Sequence, residues 1–325
     1  MHQKTELLQS IKDRGYPTDY LLSRLRGRRI YLIRDWERLL FSSDPLEYLS
    51  STRYGEFTAK ESTEGVWQYL LKEFQWVYFQ MNRGLQDIFW PFLFYSEIRT
   101  LLICLRYKKR KALEGNVERL LSFSLLSEGL KTLLKERELI SVIEGMEEVF
   151  ISLSDRFRGL KDVFIKDGLK GLEQRLTATY LEHIVNSDVH PVIRGFFIYL
   201  IDSRNIITLH KHLRWSLSTP PSFVHGGSIR EARLKEVIDK QDISGIGQLI
   251  YKLTSFMVEK PTATYVENSL LRGLTRFLRR RGRESLNVGL ILDYLWRCYI
   301  EARNLSLILY GKGLDRDILT GELIH

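Results

Sequence analysis

One layout recurs three times in this chain, and it restricts the fold more than any other feature. Each copy has an apolar, aromatic-rich run, an acid, an arginine two residues later, a polar residue, an aliphatic run and a basic end. In the first, Phe89-Trp90-Pro91-Phe92-Leu93-Phe94-Tyr95 leads into Glu97-Ile98-Arg99-Thr100-Leu101 and ends in Arg106, Lys108, Lys109, Arg110 and Lys111. In the second, Phe196-Phe197-Ile198-Tyr199-Leu200-Ile201 leads into Asp202-Ser203-Arg204-Asn205-Ile206 and ends in Lys211 and Arg214. The third runs from Leu292 through Glu301-Ala302-Arg303-Asn304-Leu305 and ends near Lys312. The acids lie 105 and then 99 residues apart in a chain of 325. That spacing predicts three similar helical domains, 1–115, 116–221 and 222–325, each closing with the same helix. Turn-forming clusters at Glu114-Gly115-Asn116 and Ser218-Thr219-Pro220-Pro221, the latter followed by Gly226-Gly227, mark the boundaries.

Elsewhere the apolar residues follow the period of an α-helix. Leu139, Ile140, Ile143, Met146, Val149 and Phe150 recur at three- and four-residue steps, as do Leu176, Tyr180 and Ile184, and Leu270, Leu271, Leu274 and Leu278. Alternating strands joined by Asn-Gly or Asp-Gly turns are missing, so the expected fold is all-α. In the third repeat Asp293, Arg297 and Glu301 form one charged stripe on an otherwise apolar helix, the pattern of a central helix in a bundle. An unpartnered buried carboxylate is costly, so the repeated acids are expected in acid–arginine pairs or helix–helix tethers: Glu97 with Arg99, Asp202 with Arg204, Glu301 with Arg303. Three equivalent acids, one per domain, point to a structural role rather than to catalysis.

The remaining features narrow the function. Phosphate-loop, zinc-protease and nucleophile-elbow motifs are absent; Gly245-Ile246-Gly247 lacks the flanking residues of a phosphate loop and is expected to be a turn. His210 and His212 stand two apart on a helix, a spacing that does not share a metal, so solvated or capping roles are expected. No catalytic group, cofactor or metal is expected. Cys104 and Cys298 sit in apolar stretches and point to free thiols in a reducing compartment. The apolar runs Ile88–Tyr95 and Gly195–Ile201 are too short to span a bilayer and the N-terminus lacks a leader's apolar core, so any membrane contact is expected through a partner. A net charge of +9 fits acidic protein surfaces, lipid headgroups or nucleic acid. The densest basic runs, Arg24-Leu25-Arg26-Gly27-Arg28-Arg29 and Arg276-Phe277-Leu278-Arg279-Arg280-Arg281-Gly282-Arg283, are expected as solvated helix faces or loop ends.

Taken in order, these landmarks resemble the C subunits of A-type and bacterial V-type ATPases and the eukaryotic V-type d subunit. The resemblance rests on Tyr20-Leu21-Leu22-Ser23-Arg24-Leu25-Arg26, on the acid-x-x-Asn pattern at Asp202 to Asn205 and on Gly226-Gly227. It is closest at the C-terminal stretch, from Asn287-Val288-Gly289 through Glu301-Ala302-Arg303-Asn304-Leu305 to Tyr310-Gly311-Lys312-Gly313-Leu314. Thr100 departs from it, standing where the family has Asn. The resemblance implies an all-helical funnel of three domains about a pseudo-threefold axis. It also implies a non-catalytic, cytoplasmic rotor subunit, one copy per complex, joining the central shaft to the membrane proteolipid ring. Arg106, Lys108, Lys109, Arg110, Lys211 and Arg214 are expected at its partner contacts. The alternatives are a basic all-helical nucleic-acid-binding protein, which would need a recognition motif this chain lacks, and an enzyme, which would need a convergent polar pocket.

Overall fold

Local signals start several of the helices where the apolar period begins. In a computed structural model, which describes residues 7–10, 15–42, 44–58, 64–110, 114–136, 138–258, 262–283, 288–311 and 313–325, the helices are α1 Thr18–Arg28, α2 Trp36–Phe41, α3 Pro45–Ser50, α4 Gly55–Thr58, α5 Glu64–Gln80, α6 Arg83–Lys109, α7 Glu114–Ser122, α8 Glu128–Lys135, α9 Leu139–Ile151, α10 Leu160–Asn186, α11 Pro191–Arg214, α12 Glu231–Asp239, α13 Ile243–Thr254, α14 Ala263–Arg281, α15 Val288–Tyr310 and α16 Arg316–Glu322. Among the described residues there is no strand, only two isolated bridges, so the fold is all-α. Lys111, Asn287 and Lys312 lie outside the described residues.

Side-chain oxygens take up the unpaired N–H groups of the first turns. Asn82 accepts from Leu85 N at 3.0 Å to start α6, and Asp242 accepts from Gly245 N at 3.0 Å to start α13. That cap corrects the expected turn at Gly245-Ile246-Gly247, which lies in the first turns of α13. A side chain on Gly247 would collide with the Val258 carbonyl, so the glycine permits a close backbone approach rather than a bend. α10 is broken at Gly168, whose φ of +68° is outside the helical region.

The chain divides into two compact units, Met1–Thr18 with Leu71–Ile193, and Asp19–Leu70 with Arg194–His325. The first is built on α6. Phe94 meets Phe150 and Tyr180 at 5.6 and 5.5 Å between ring centroids, and Phe150 meets Phe157 at 5.1 Å. Each ring is buried, worth about 2 kcal/mol of transfer free energy. Pro91, inside α6, has no N–H to give its own helix, and its carbonyl accepts from the buried Tyr180 hydroxyl at 2.8 Å. α6 is long and apolar enough to cross a membrane, more than the short apolar runs suggest, but 67% of its most apolar stretch is buried inside the fold, which is how a core helix looks.

The second unit buries Ile206 and Leu209 of α11 against Leu234, Ile246, Ile250, Val266 and Leu270 from α12, α13 and α14. Phe196 contacts Trp296 of α15 at 5.9 Å, and the Trp296 indole N–H donates to Thr275 at 2.9 Å. Cys104 and Cys298 are buried and form no disulfide, and burial pushes the Cys104 thiol up to about 12. His210 and His212, expected to be solvated or capping, are instead buried on α11, because the apolar surround of that helix covers its last turns as well. No group of residues able to hold a metal is found among those described.

The Tyr180–Pro91 bond gives a first test. Tyr180→Phe keeps the ring packing and removes the hydroxyl, so unfolding free energy should fall by about 1 kcal/mol at constant urea dependence. An unchanged urea midpoint would show that the bond adds nothing.

Candidate functional site: three buried carboxylate clamps

The repeat helices are α6, α11 and α15, and each carries its acid into the interior: Glu97 is 2% exposed, Asp202 0% and Glu301 2%. The acids do the same job. Each accepts hydrogen bonds from the backbone just before the start of a short helix, giving acceptors to N–H groups outside any helix ladder.

Glu97 accepts from Leu125 N at 2.7 Å and from the Ser124 hydroxyl at 2.7 Å, three residues ahead of α8. The segment it holds pairs in turn with residues 7–9, through Gln9 N to Leu125 O and Ser127 N to Leu7 O, both at 2.9 Å. Burial pushes the Glu97 carboxyl above its ordinary range; the Leu125 N–H and the Ser124 and Thr100 hydroxyls pull it back, and burial wins.

Asp202 accepts from Ser228 N at 3.1 Å, the Ser228 hydroxyl at 2.6 Å and Ile229 N at 3.0 Å, just ahead of α12. Asn205, one helical turn on, exchanges two bonds with Val224: its amide donates to Val224 O at 2.8 Å and accepts from Val224 N at 2.9 Å. Together they grip both ends of the segment from Val224 to Ile229. The Gly226-Gly227 pair sits inside that grip. Gly226 has φ +96°, and a Cβ on Gly227 would overlap Asp202 Oδ1, so the loop reaches the acid only because it lacks side chains there.

Glu301 accepts from Ile33 N at 2.5 Å, three residues ahead of α2, from the Tyr54 hydroxyl at 2.8 Å and from Arg53. Burial pushes this carboxyl up, and Arg53, Ile33 N–H and Tyr54 pull it back. Burial also works against the Arg53 charge, but Glu301 outweighs it and holds the guanidinium protonated, above its ordinary range. Asn304, one turn on, repeats the Asn205 device, donating to Ile324 O at 2.8 Å and accepting from Ile324 N at 3.2 Å. The charged stripe of α15 continues with Asp293, which accepts from Arg297 at 3.1 Å and from Arg29 at 2.6 Å.

The arginines two residues after the acids take other positions. Arg99 is exposed and Arg204 half-buried, while Arg303 donates to Asn268 Oδ1 at 3.0 Å and Glu322 O at 3.1 Å. Two residues along a helix is a turn of about 200°, so an i+2 side chain faces away from the acid, whereas i+3 shares its face. The polar residue at i+3 is therefore the acid's companion: Asn205, Asn304 and the buried Thr100, whose hydroxyl helps to hold the Glu97 carboxyl down. Of the basic end residues, Arg106 pairs with Glu173 and Lys108 donates to the Glu136 carbonyl, while Lys109, Arg110, Lys211 and Arg214 are exposed. The residues the sequence reading missed are the clamped ones, Ser124, Leu125, Ser228, Ile229, Ile33, Arg53 and Tyr54; of these only Ser228 had a nearby signal, the glycine pair before it.

Two comparisons bear on this arrangement. The sequence model of a family described as ATP synthase (C/AC39) subunit matches residues 22–319, a span that contains all three clamp acids. Among curated proteins, the C subunit of the A-type ATP synthase from Methanothermobacter thermautotrophicus is 23% identical over 205 residues, covering 57% of this chain and 52% of that protein. The chain therefore matches about half the length of that relative.

The second clamp is the sharpest to test. Asp202→Ala leaves the Ser228 and Ile229 N–H groups without acceptors and should cost about 3 kcal/mol in urea unfolding. Gly227→Ala should cost about 2 kcal/mol by forcing the loop off the acid. Their effects should fall short of additive, because either one opens the same contact; full additivity would mean the clamp is not one unit.

Glu97 gives a pH test. A carboxyl raised in the folded state binds a proton more readily there than in the unfolded chain. Its contribution to stability therefore falls as pH rises from the ordinary carboxylate range through the raised value, and is flat above it. Measured by urea unfolding from about pH 4 to about pH 8, Glu97→Gln should gain on the parent protein as pH rises through that window. A difference that is constant with pH would show that Glu97 titrates alike in both states.

Proposed function

Because the chain belongs to the ATP synthase (C/AC39) subunit family, we propose that it is the non-catalytic central-stalk subunit of an A/V-type rotary ATPase, coupling the shaft to the membrane proteolipid ring for ion transport. The observation that carries this reading is the thrice-used clamp. A part that passes torque between two partners has to resist internal slip, and slip in a helical protein begins where one helix hands over to the next. Hydrogen bonds that a buried acid accepts from the handover segment stiffen that place, one acid on each repeat helix. The three-repeat organisation of the sequence belongs to the same proposal: each repeat contributes one acid that clamps a segment of another repeat, with its helix ends left to meet partners.

In this reading one copy per complex sits on the cytoplasmic side and touches the membrane only through the ring. A shaft and a ring of different symmetry have little natural contact, so a part between them works by offering each a wide complementary surface. The exposed basic ends, Lys109 and Arg110 on one repeat and Lys211 and Arg214 on the next, suit acidic partner surfaces and steer their approach. Arg106 and Lys108 contribute less, since each already holds a neighbour within its unit.

A tagged chain should co-purify with the proteolipid ring and the shaft proteins. Reversing Lys109 and Arg110 together, or Lys211 and Arg214 together, to Glu should weaken that capture several-fold at low salt and less at high salt. Normal capture by both variants at low and moderate salt would remove the contact assignment, and capture of neither ring nor shaft by the parent chain would remove the proposed role.

A further inference from the structure

The clamps account for the buried charge of the repeat helices but leave untouched the densest basic run of the sequence. The run stands on a solvated helix face and the turn after it, with Arg276, Arg279, Arg280, Arg281 and Arg283 all exposed, and it is also gathered around one surface hollow. Arg276, Arg279, Arg280 and Arg283, at the C-terminal end of α14 and the turn after it, line one cavity of about 400 Å³. A second cavity of about 170 Å³ adjoins it, sharing Arg276 and Arg279 and adding Phe256 and Thr275 among its walls.

Four guanidiniums around one space repel one another, and like charges three and four residues apart on a helix destabilise it. The described lining of the larger cavity contains no carboxylate to offset them. Asp293, the acid that acts on Arg279, is engaged by Arg29 and Arg297. Burial holds Arg279 below its ordinary range, and the nearby Arg297 and Arg283 lower it further. Arg276 is held in place by stacking on Phe256, 4.5 Å from the ring centroid. The cavity is thus a concave cluster of positive charge, at least one member of it ordered, with its counter-charge not supplied by the described walls.

We propose that this basin binds a compact polyphosphate group, a di- or triphosphate. Arginine rather than lysine lines it, and the planar guanidinium fork suits phosphate oxygens in pairs. A lone carboxylate offsets one guanidinium, whereas a di- or triphosphate places several charges within the span of the four. The volume lies in the range of small-molecule sites. The phosphate group can belong to a soluble molecule or to a lipid headgroup, and the chemistry at the arginines is the same. This assignment stands apart from the rotor reading and needs none of its partners.

The test uses the full chain and calorimetric titration with sodium tripolyphosphate, with sodium sulfate as the single-anion control. Tripolyphosphate should bind at a single site at least about tenfold tighter than sulfate. The double variant Arg279→Gln with Arg280→Gln should lose about tenfold or more, while Lys109→Gln with Arg110→Gln, in the other basic cluster, should bind as the parent does. Arg283→Gln, on the turn outside α14, gives a second reading of the same loss should the double variant unfold. Phosphatidylcholine vesicles with and without phosphatidylinositol bisphosphate separate the sources: sedimentation of the chain with the bisphosphate vesicles alone, lost in the same arginine variants, assigns the lipid headgroup. Sulfate binding as well as tripolyphosphate, equal binding by the parent and both arginine variants, or a Glu-rich peptide binding more tightly than either phosphate probe would each overturn the proposal.

Discussion

Placing a carboxylate in a helical core is costly unless every oxygen finds a donor, and this fold meets that condition in the same way three times. Glu97, Asp202 and Glu301 are each turned onto the backbone N–H groups of a segment about to begin a helix. The arrangement satisfies two requirements at once. Each acid gains partners that do not depend on a second charged side chain, and each handover segment gains acceptors where no helix or strand supplies them. Removing the donors leaves a buried acid unsatisfied, which is why the clamps constrain the loops and cannot drift independently of them.

The helices themselves were legible, because apolar period and caps are local properties. Leu139 to Phe150 and Leu270 to Leu278 fall in α9 and α14 as the period requires. The acids were legible as repeated and buried. Their partners were not, for a physical reason: a backbone N–H has no residue type, so Leu125 and Ile229 carry no mark of what they donate to. Ile33, Arg53 and Tyr54 were further hidden by distance along the chain, 268, 248 and 247 residues from Glu301. The arginine two residues after each acid stands out by its charge, although the helical turn directs it to another face; the polar residue at i+3 was the better guide. Gly226-Gly227 stands out as a pair, but only the approach of Asp202 shows why Gly227 has no room for a side chain.

The third clamp differs from the second in where its segments come from. Asp202 and Asn205 hold one continuous stretch, Val224 to Ile229. Glu301 and Asn304 divide the work, taking Ile33 from early in the chain and Ile324 from late in it. One helical device thus closes a local loop on one repeat helix and a loop of 268 residues on another. Closing the longer loop costs more chain entropy, though only logarithmically in its length. The third site also has the heavier anchoring: Arg53 and Tyr54 join the N–H donor, and Asp293, about two turns back on the same stripe, adds a second buried anchor with Arg29 and Arg297. Anchoring follows loop length in the direction the entropy requires.

Charge in this protein is therefore used in two opposed ways. Negative charge is placed inward at Glu97, Asp202, Asp293 and Glu301, where it is hydrogen-bonded and fixes the shape of the chain. Much of the positive charge stays outward, and where it concentrates, at Lys109 and Arg110, at Lys211 and Arg214 and around the cavity at Arg276 to Arg283, it has partners to gain. Inward charge of this kind resists change, since any loosening exposes an unsatisfied acid; outward charge is free to meet an anion with little desolvation of the core. The buried acids thus set the form of the chain, while the exposed arginine and lysine clusters leave charge at the surface for other molecules to meet.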